Sequence, residues 1–311
     1  MIGRIVEIAD DRRHLFAHRG FMVVRDTEGE RKELGQIPLD DVGAVIANAH
    51  GLSYTNNLLV ELAQRGAPFV LCAANHSPVG MLLPTDGNFE QSRRIDAQLA
   101  AKRPVHKQMW AAIVRSKLEQ QAAVLEAIGA PFMPLLALAR KVKSGDAGNL
   151  EAQGARRYWG LLFGDEFRRD QGAGGVNSLL NYGYTILRSA TARAVIGAGL
   201  HPGIGLFHSN AGNPMRLVDD LIEPFRPVID IKVWLLQKQG EKDVTPATKR
   251  ALVQTLYDDM LTDAGATPVS VCMQRTATSL AQVYLGERSR LDLPMPGLPL
   301  SMAASLSDED D

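Results

Sequence analysis

The stretch "EQSRRIDAQLAAKRPVHKQMWAAIVRSKLEQQAAVLEAIG", residues 90–129, divides the chain into two kinds of sequence. Its apolar residues recur every three to four positions with strong helix formers between them, which predicts helix. N-terminal to it the pattern differs. "GFMVVRD" (20–26) and "VGAVIANA" (42–49) are short apolar or alternating runs, and "APFVLCAAN" (67–75) reads as a buried strand. Between them, "TNNLLVELAQRG" (55–66) opens on a capping threonine and closes on glycine, predicting one short helix. C-terminal to the dividing stretch, helices are expected over 150–164, 176–198, 216–238, 246–264 and 268–286. The fourth of these has Thr245 as cap and Pro246 at its first helical position.

The expected fold class is α+β: a small β-rich N-terminal domain over 1–88, then a larger all-helical domain over 89–290. Residues 291–311, "LDLPMPGLPLSMAASLSDEDD", carry prolines and leucines without period and then acids, and read as a mobile tail. No apolar run approaches the roughly 20 residues that span a bilayer. The opening "MIGRIVEIADDRRHLF" places acids and arginines where a signal peptide needs an apolar run, so a cytoplasmic location is expected. Cys72 and Cys272 lack a metal-ligand spacing and sit in apolar runs, as small core residues do. The net charge of −1 makes no overall case for nucleic acid. Residues 101–118 nevertheless hold five Lys or Arg and no acid, a cluster suited to phosphate or simply to a solvated helix face.

The chemistry concentrates in "LFHSNAGNPMRLVDDLIEPFRP" (206–227). Wound as a helix, Leu217, Val218, Leu221, Ile222 and Phe225 fall on one side and Asp219, Asp220 and Glu223 on the other. Asp220 and Glu223 are neighbours at i, i+3, a repulsive spacing unless a cation lies between them. Pro224 marks a helix start or kink. Carboxylates with one imidazole, His208, suit Mg²⁺ or Mn²⁺. A further carboxylate, Glu151, stands in "NLEAQGARRYWGLLFGDEF" (149–167), followed by Arg156 and Arg157, which can meet phosphate. Each piece also has a plain alternative: an acidic wet face, or a glutamate favoured by a helix dipole.

Six segments then occur in order: "RIVEI" (4–8), "SPVGMLLP" (77–84), "KQMWAAIVRSKLEQQ" (107–121), "LEAQGARRYW" (150–159), "VNSLLNYGYTILRSATARAVIGAGLHPGIGLFH" (176–208) and "DDLIEPFRPVID" (219–230). Through their order and spacing the chain resembles the CRISPR-associated adaptation integrases, in their type II form. The resemblance implies a β-rich domain that dimerises and a helical domain that holds the active site. It implies catalytic and metal-binding roles for Glu151, His208 and Glu223, with Asp220 as a supporting or alternative ligand and Mg²⁺ or Mn²⁺ as the ion. One departure is Ala152 after Glu151, where the family usually has glycine.

The implied activity is that of a metal-dependent endonuclease and integrase of spacer acquisition. It would join the 3′-hydroxyl ends of short DNA duplexes into the CRISPR repeat by phosphodiester transfer. The implied partners are double-stranded DNA, a second copy of the chain, a small ferredoxin-like adaptation protein and the effector nuclease of type II systems. Arg156, Arg157, Lys107, Arg115 and Lys117 are the expected DNA contacts. The alternatives are a stand-alone metal-dependent nuclease on branched or damaged DNA, and a DNA-binding scaffold without metal.

Overall fold

The apolar run at 42–47 forms a strand buried at every position. A strand with a parallel neighbour on each side and both faces covered shows no polar alternation. This computed structural model describes residues 4–28, 32–73, 78–85 and 88–307. Residues 74–77 and 308–311 lie outside them, so the end of "APFVLCAAN", the start of "SPVGMLLP" and the acidic terminus are not placed. The chain divides into two units, Met1–Gln91 and Ser92–Asp311.

The first unit contains β1 (Arg4–Ile8), β2 (Arg13–His18), β3 (Phe21–Asp26), β4 (Glu33–Pro38), β5 (Val42–Ala47), β6 (Ser53–Tyr54), α1 (Asn56–Gln64), β7 (Phe69–Cys72) and β8 (Pro78–Leu82). One sheet has the order β1-β5-β7-β8, parallel except for β8, and the other the order β4-β3-β2-β6. The β2–β3 hairpin turns through Arg19 and Gly20 at φ 47° and 83°. A tight two-residue hairpin turn with both φ positive matches the twist of its strands. Thr55 caps α1 by accepting the Leu58 N–H at 3.3 Å. Leu15, Met22, Val45, Leu58, Leu62 and Phe69 meet in the core.

The second unit contains α2 (Gln91–Ala100), α3 (Arg103–Ala127), α4 (Met133–Ala139), α5 (Leu150–Phe163), α6 (Val176–Gly197), α7 (Arg216–Leu221), α8 (Arg226–Lys238), α9 (Pro246–Gln254), β9 (Asp259–Thr262), β10 (Gly265–Pro268), α10 (Val269–Tyr284) and α11 (Leu300–Ser307). The 22-residue α6 is buried around most of its circumference, as a central helix must be, and packs against α7, α8, α9 and α10. The 25-residue α3 packs against α4, α5, α7 and α8 and so reaches every segment that carries a candidate site residue. Among the described residues, no helix is long and apolar enough to cross a membrane. Cys72 and Cys272 are both buried.

Three expectations need correction. The helix expected over 216–238 is broken into α7, a 3₁₀ turn at Glu223–Phe225 and α8. Pro224 and Pro227 cannot donate to the helical ladder and restart it. The C-terminal unit is not all-helical either. The helix expected to reach 264 stops at Gln254, and β9 and β10 pair antiparallel around a turn whose Gly265 has φ 92°.

Finally, residues 291–307, expected to be mobile, pack against the helices. Gln120 of α3 donates to the Met295 carbonyl at 2.8 Å, and Ser279 of α10 accepts the Asp292 N–H at 2.9 Å. Leu291 and Met302 are buried. The part before α11 has no regular structure of its own and is held by apolar anchors and hydrogen bonds from its main chain to its neighbours.

Candidate active site

Asp146 builds the start of α5. The loop before that helix holds Gly145, Asp146 and Asn149 at positive φ, of 74°, 49° and 50°. This winding lets the Asp146 carboxylate accept the N–H groups of Leu150 at 2.9 Å and Glu151 at 3.0 Å, satisfying donors that a helix start leaves open. Glu151 is thereby fixed in the first turn. Three residues on, Gly154 faces Leu118, and a Cβ there would stand 2.2 Å from the Leu118 methyl. Glycine at this point allows α5 to lie close against α3.

That approach brings Glu151 to Lys117, the neighbour of Leu118 on α3. The Lys117 ammonium donates to Glu151 Oε1 and, at 2.5 Å, to Glu223 Oε2. Arg226 donates through Nε to the other oxygen of Glu223 at 2.8 Å and lies over the Tyr184 ring, 4.5 Å from its centroid. Lys117 and Glu223 are each only 6% exposed. Burial alone would favour a neutral Glu223, but Arg226 and Lys117 outweigh it and hold the carboxyl down to about 2. Burial works against the charge on Lys117 too, and Glu223 and Glu151 reverse it, raising its pKa.

The three acids that the sequence crowds together have three separate tasks, and none forms a wet face. Asp219 turns to Arg188, at 2.8 and 3.1 Å, and to Asn213 at 2.7 Å. Asp220 is fully buried and accepts the N–H groups of Leu206 at 2.6 Å, Phe207 at 3.2 Å and His208 at 3.3 Å. Gly205 makes room for this wrap, since a Cβ there would come within 2.9 Å of Asp220 Oδ2. Asp220 Oδ1 also bonds His208 Nδ1 at 2.6 Å. That hydrogen bond raises the His208 pKa, with burial partly opposing it. Trp110 stacks on Phe207, with centroids 4.5 Å apart, and meets the His208 ring edge-on.

Among the described residues, no group of three or more His, Cys, Asp or Glu side chains stands ready to hold a metal ion. The donor chemistry nonetheless fits a hard divalent ion. Glu151 and Glu223 converge on one cation, and the bond from Nδ1 to Asp220 leaves His208 Nε2 for a ligand, as in carboxylate-oriented metal histidines.

Of the expected DNA contacts, Arg156, Arg157, Lys107 and Arg115 are exposed. Lys117 is not, and it is corrected from a surface phosphate contact to the buried partner of two carboxylates. Arg156 lines an open groove of about 650 Å³ with Trp159, Phe167, Arg168 and Arg169. Arg169 is anchored by Asn177 at 2.9 Å and Asn181 at 2.6 Å. Sequence reasoning missed Asp146, Arg169 and Arg226. The dense turn chemistry of "SGDAGN" (144–149) is the one local signal that marks any of them, since it is where a helix start must be organised.

Residues 7–252 match the family model "CRISPR associated protein Cas1". A CRISPR-associated endonuclease Cas1 from Neisseria meningitidis is 39% identical over 225 residues, covering 71% of this chain and 74% of that one. The fold matches a casposase solved bound to its integration product, at a TM-score of 0.79 and 20% identity, over 93% of this chain and 92% of the other. It also matches a chain of a Cas6-RT-Cas1–Cas2 complex at a TM-score of 0.75 and 17% identity, over 94% of this chain and 36% of that one. The family match across most of the chain and the close relative together place this protein in the Cas1 family.

Proposed function

We propose that this protein joins the 3′-hydroxyl ends of short DNA duplexes into a CRISPR repeat by phosphodiester transfer that depends on Mg²⁺ or Mn²⁺. The observation that carries the reading is the convergence of Glu151 and Glu223 on a single cation, together with the fixing of the His208 imidazole by the buried Asp220 carboxylate. Glu151, His208 and Glu223 would hold the ion, which when bound polarises a phosphoryl oxygen and stabilises developing charge.

Each residue then has a definable task. Asp220 fixes the tautomer of His208 and presents Nε2. Arg226 keeps Glu223 ionised despite burial. Arg156, Arg157, Lys107 and Arg115 contact phosphates rather than bases, because integration must accept many spacer sequences.

The partners in this reading are double-stranded DNA, a second copy of the chain and a small ferredoxin-like adaptation protein. Support for the last comes from the fold match to a chain solved in a complex that includes Cas2. The type II effector nuclease is a further proposed partner. The same residues acting with water as nucleophile would give a stand-alone nuclease, so partner dependence is the discriminating property.

The test is Mn²⁺-dependent joining of a labelled duplex to a repeat-bearing supercoiled plasmid, using wild type and His208→Ala with and without the small partner. Joining by wild type alone, stimulated by the partner, is expected. Nicking without joining, indifferent to the partner, would replace the integrase reading with the nuclease.

A further inference from the structure

We propose that Lys117 is a built-in counter-ion for the site, and that a divalent cation binds Glu151 and Glu223 by displacing its ammonium. The inference rests on the reading of those two glutamates as metal ligands. It starts from the engagement of Glu223, whose Oε1 takes Arg226 and whose Oε2 takes Lys117. Each of its oxygens is already engaged by a cationic side chain. Glu151 Oε1 meets the same ammonium.

A metal ion would need these oxygens at about 2.1 Å. It cannot take that place while an ammonium stays at hydrogen-bond distance from the same atoms, because two cations would then be in contact. Lys117 projects from the middle of α3 and is buried with its neighbours Ser116 and Leu118, so a metal that takes its acceptors obliges its ammonium to swing toward solvent or to release its proton to solvent. A buried ammonium is costly without acceptors, and two converging carboxylates are costly without a cation, so the three groups hold one another in position. The arrangement keeps the ligands ionised and aimed, and it makes metal loading an exchange of one cation for another. Lys117 is in this sense a positioning residue, whose influence on the reaction passes through the carboxylates.

The readout is Mn²⁺ affinity by isothermal titration calorimetry on the full chain, together with the Mn²⁺-induced rise in Tm. Lys117→Met is expected to be less stable than wild type without Mn²⁺, to bind Mn²⁺ at least about tenfold tighter, and to gain more in Tm from it. Lys117→Arg, which keeps the charge, is expected to stay near the wild-type affinity. A lysine that merely supports the fold would leave Mn²⁺ affinity unchanged or weakened in Lys117→Met. That result overturns the proposal, while lost binding in Glu151→Gln would still uphold the metal reading. Absence of Mn²⁺ binding in both folded wild type and folded Lys117→Met overturns both. If Lys117→Met folds only when Mn²⁺ is added, the ion has taken the place of the ammonium and the proposal stands. If it does not fold even then, Lys117→Gln is titrated instead, and an affinity at or below wild type overturns the proposal.

Discussion

Asp220 holds His208 twice, accepting its backbone N–H at 3.3 Å and bonding its ring Nδ1 at 2.6 Å, both through Oδ1. The other oxygen, Oδ2, holds the two residues before it. One buried carboxylate thus shapes the 206–208 loop and orients the imidazole at its end. Asp220→Ala would leave three N–H groups without their acceptor, at about 1–3 kcal/mol each where they stay buried. A loss of at least about 3 kcal/mol in urea-induced unfolding is expected, with joining lost as well. A variant as stable as wild type would show that the loop does not depend on Asp220.

Arg156 and Arg157 are exposed on α5, the helix whose first turn carries Glu151. Their proposed role is phosphate binding, which releases counter-ions and makes affinity salt-dependent. The double change Arg156→Glu, Arg157→Glu should weaken binding to duplexes of unrelated sequence by similar factors. It should also flatten the plot of log affinity against log salt, by roughly one unit of slope for each phosphate no longer neutralised. Fluorescence anisotropy over a salt series measures this. An unchanged slope would assign the pair to solvent.

The close approach of α3 to α5 is a packing condition for the site. Gly154→Val would drive new methyl groups into Leu118, which is fully buried and has little room to yield. Overpacking of this kind typically costs about 1–3 kcal/mol. Lys117 and Glu151 should be forced apart with it, so both the denaturation midpoint and joining should fall.

Asp230 gives the fold a pH dependence. Burial raises its carboxyl to about 7, against the lowering effect of a 2.5 Å hydrogen bond from the Tyr184 hydroxyl and of nearby Arg226. For an acid whose folded pKa lies above its unfolded value, the folded state binds the extra proton between the two. Stability from this group is therefore full below the ordinary carboxylate value of 3.8 and declines as pH rises through about 7. Asp230→Asn keeps an acceptor for Tyr184 and cannot ionise. Relative to that variant, wild type should lose stability steadily from pH 5 to 7 and then hold a constant difference. Urea midpoints across that range would show it, and parallel profiles would contradict the raised value.

The sequence makes some of this legible and hides the rest for physical reasons. Long periodic runs such as 103–127 and 176–197 announce themselves, because a helix repeats its burial pattern over many turns. The four-residue strands β9 and β10 are too short to show a period of two, and their apolar residues look like a continuation of α9. Glu151, His208 and Glu223 stand out as residue types. Lys117 does not, because a lysine in a basic stretch reads as surface, and its burial is caused by carboxylates from distant segments. Asp220 falls on the wet side of a helical projection for a similar reason. Such a projection cannot show that the chain from Gly205 to His208 folds back over that face.

The most direct test of the proposed centre is joining by Glu151→Gln. This glutamate is the more exposed of the two on Lys117, with a side chain 28% accessible against 8% for Glu223, so its neutralisation disturbs the fold less. Wild type and variant would be compared in Mn²⁺-dependent joining, with unfolding curves measured on the same preparations. Glu151→Gln is expected to unfold cooperatively near the wild-type midpoint and to join no duplex to the repeat. A variant that joins at the wild-type rate would contradict the assignment of Glu151, and with it the proposed centre.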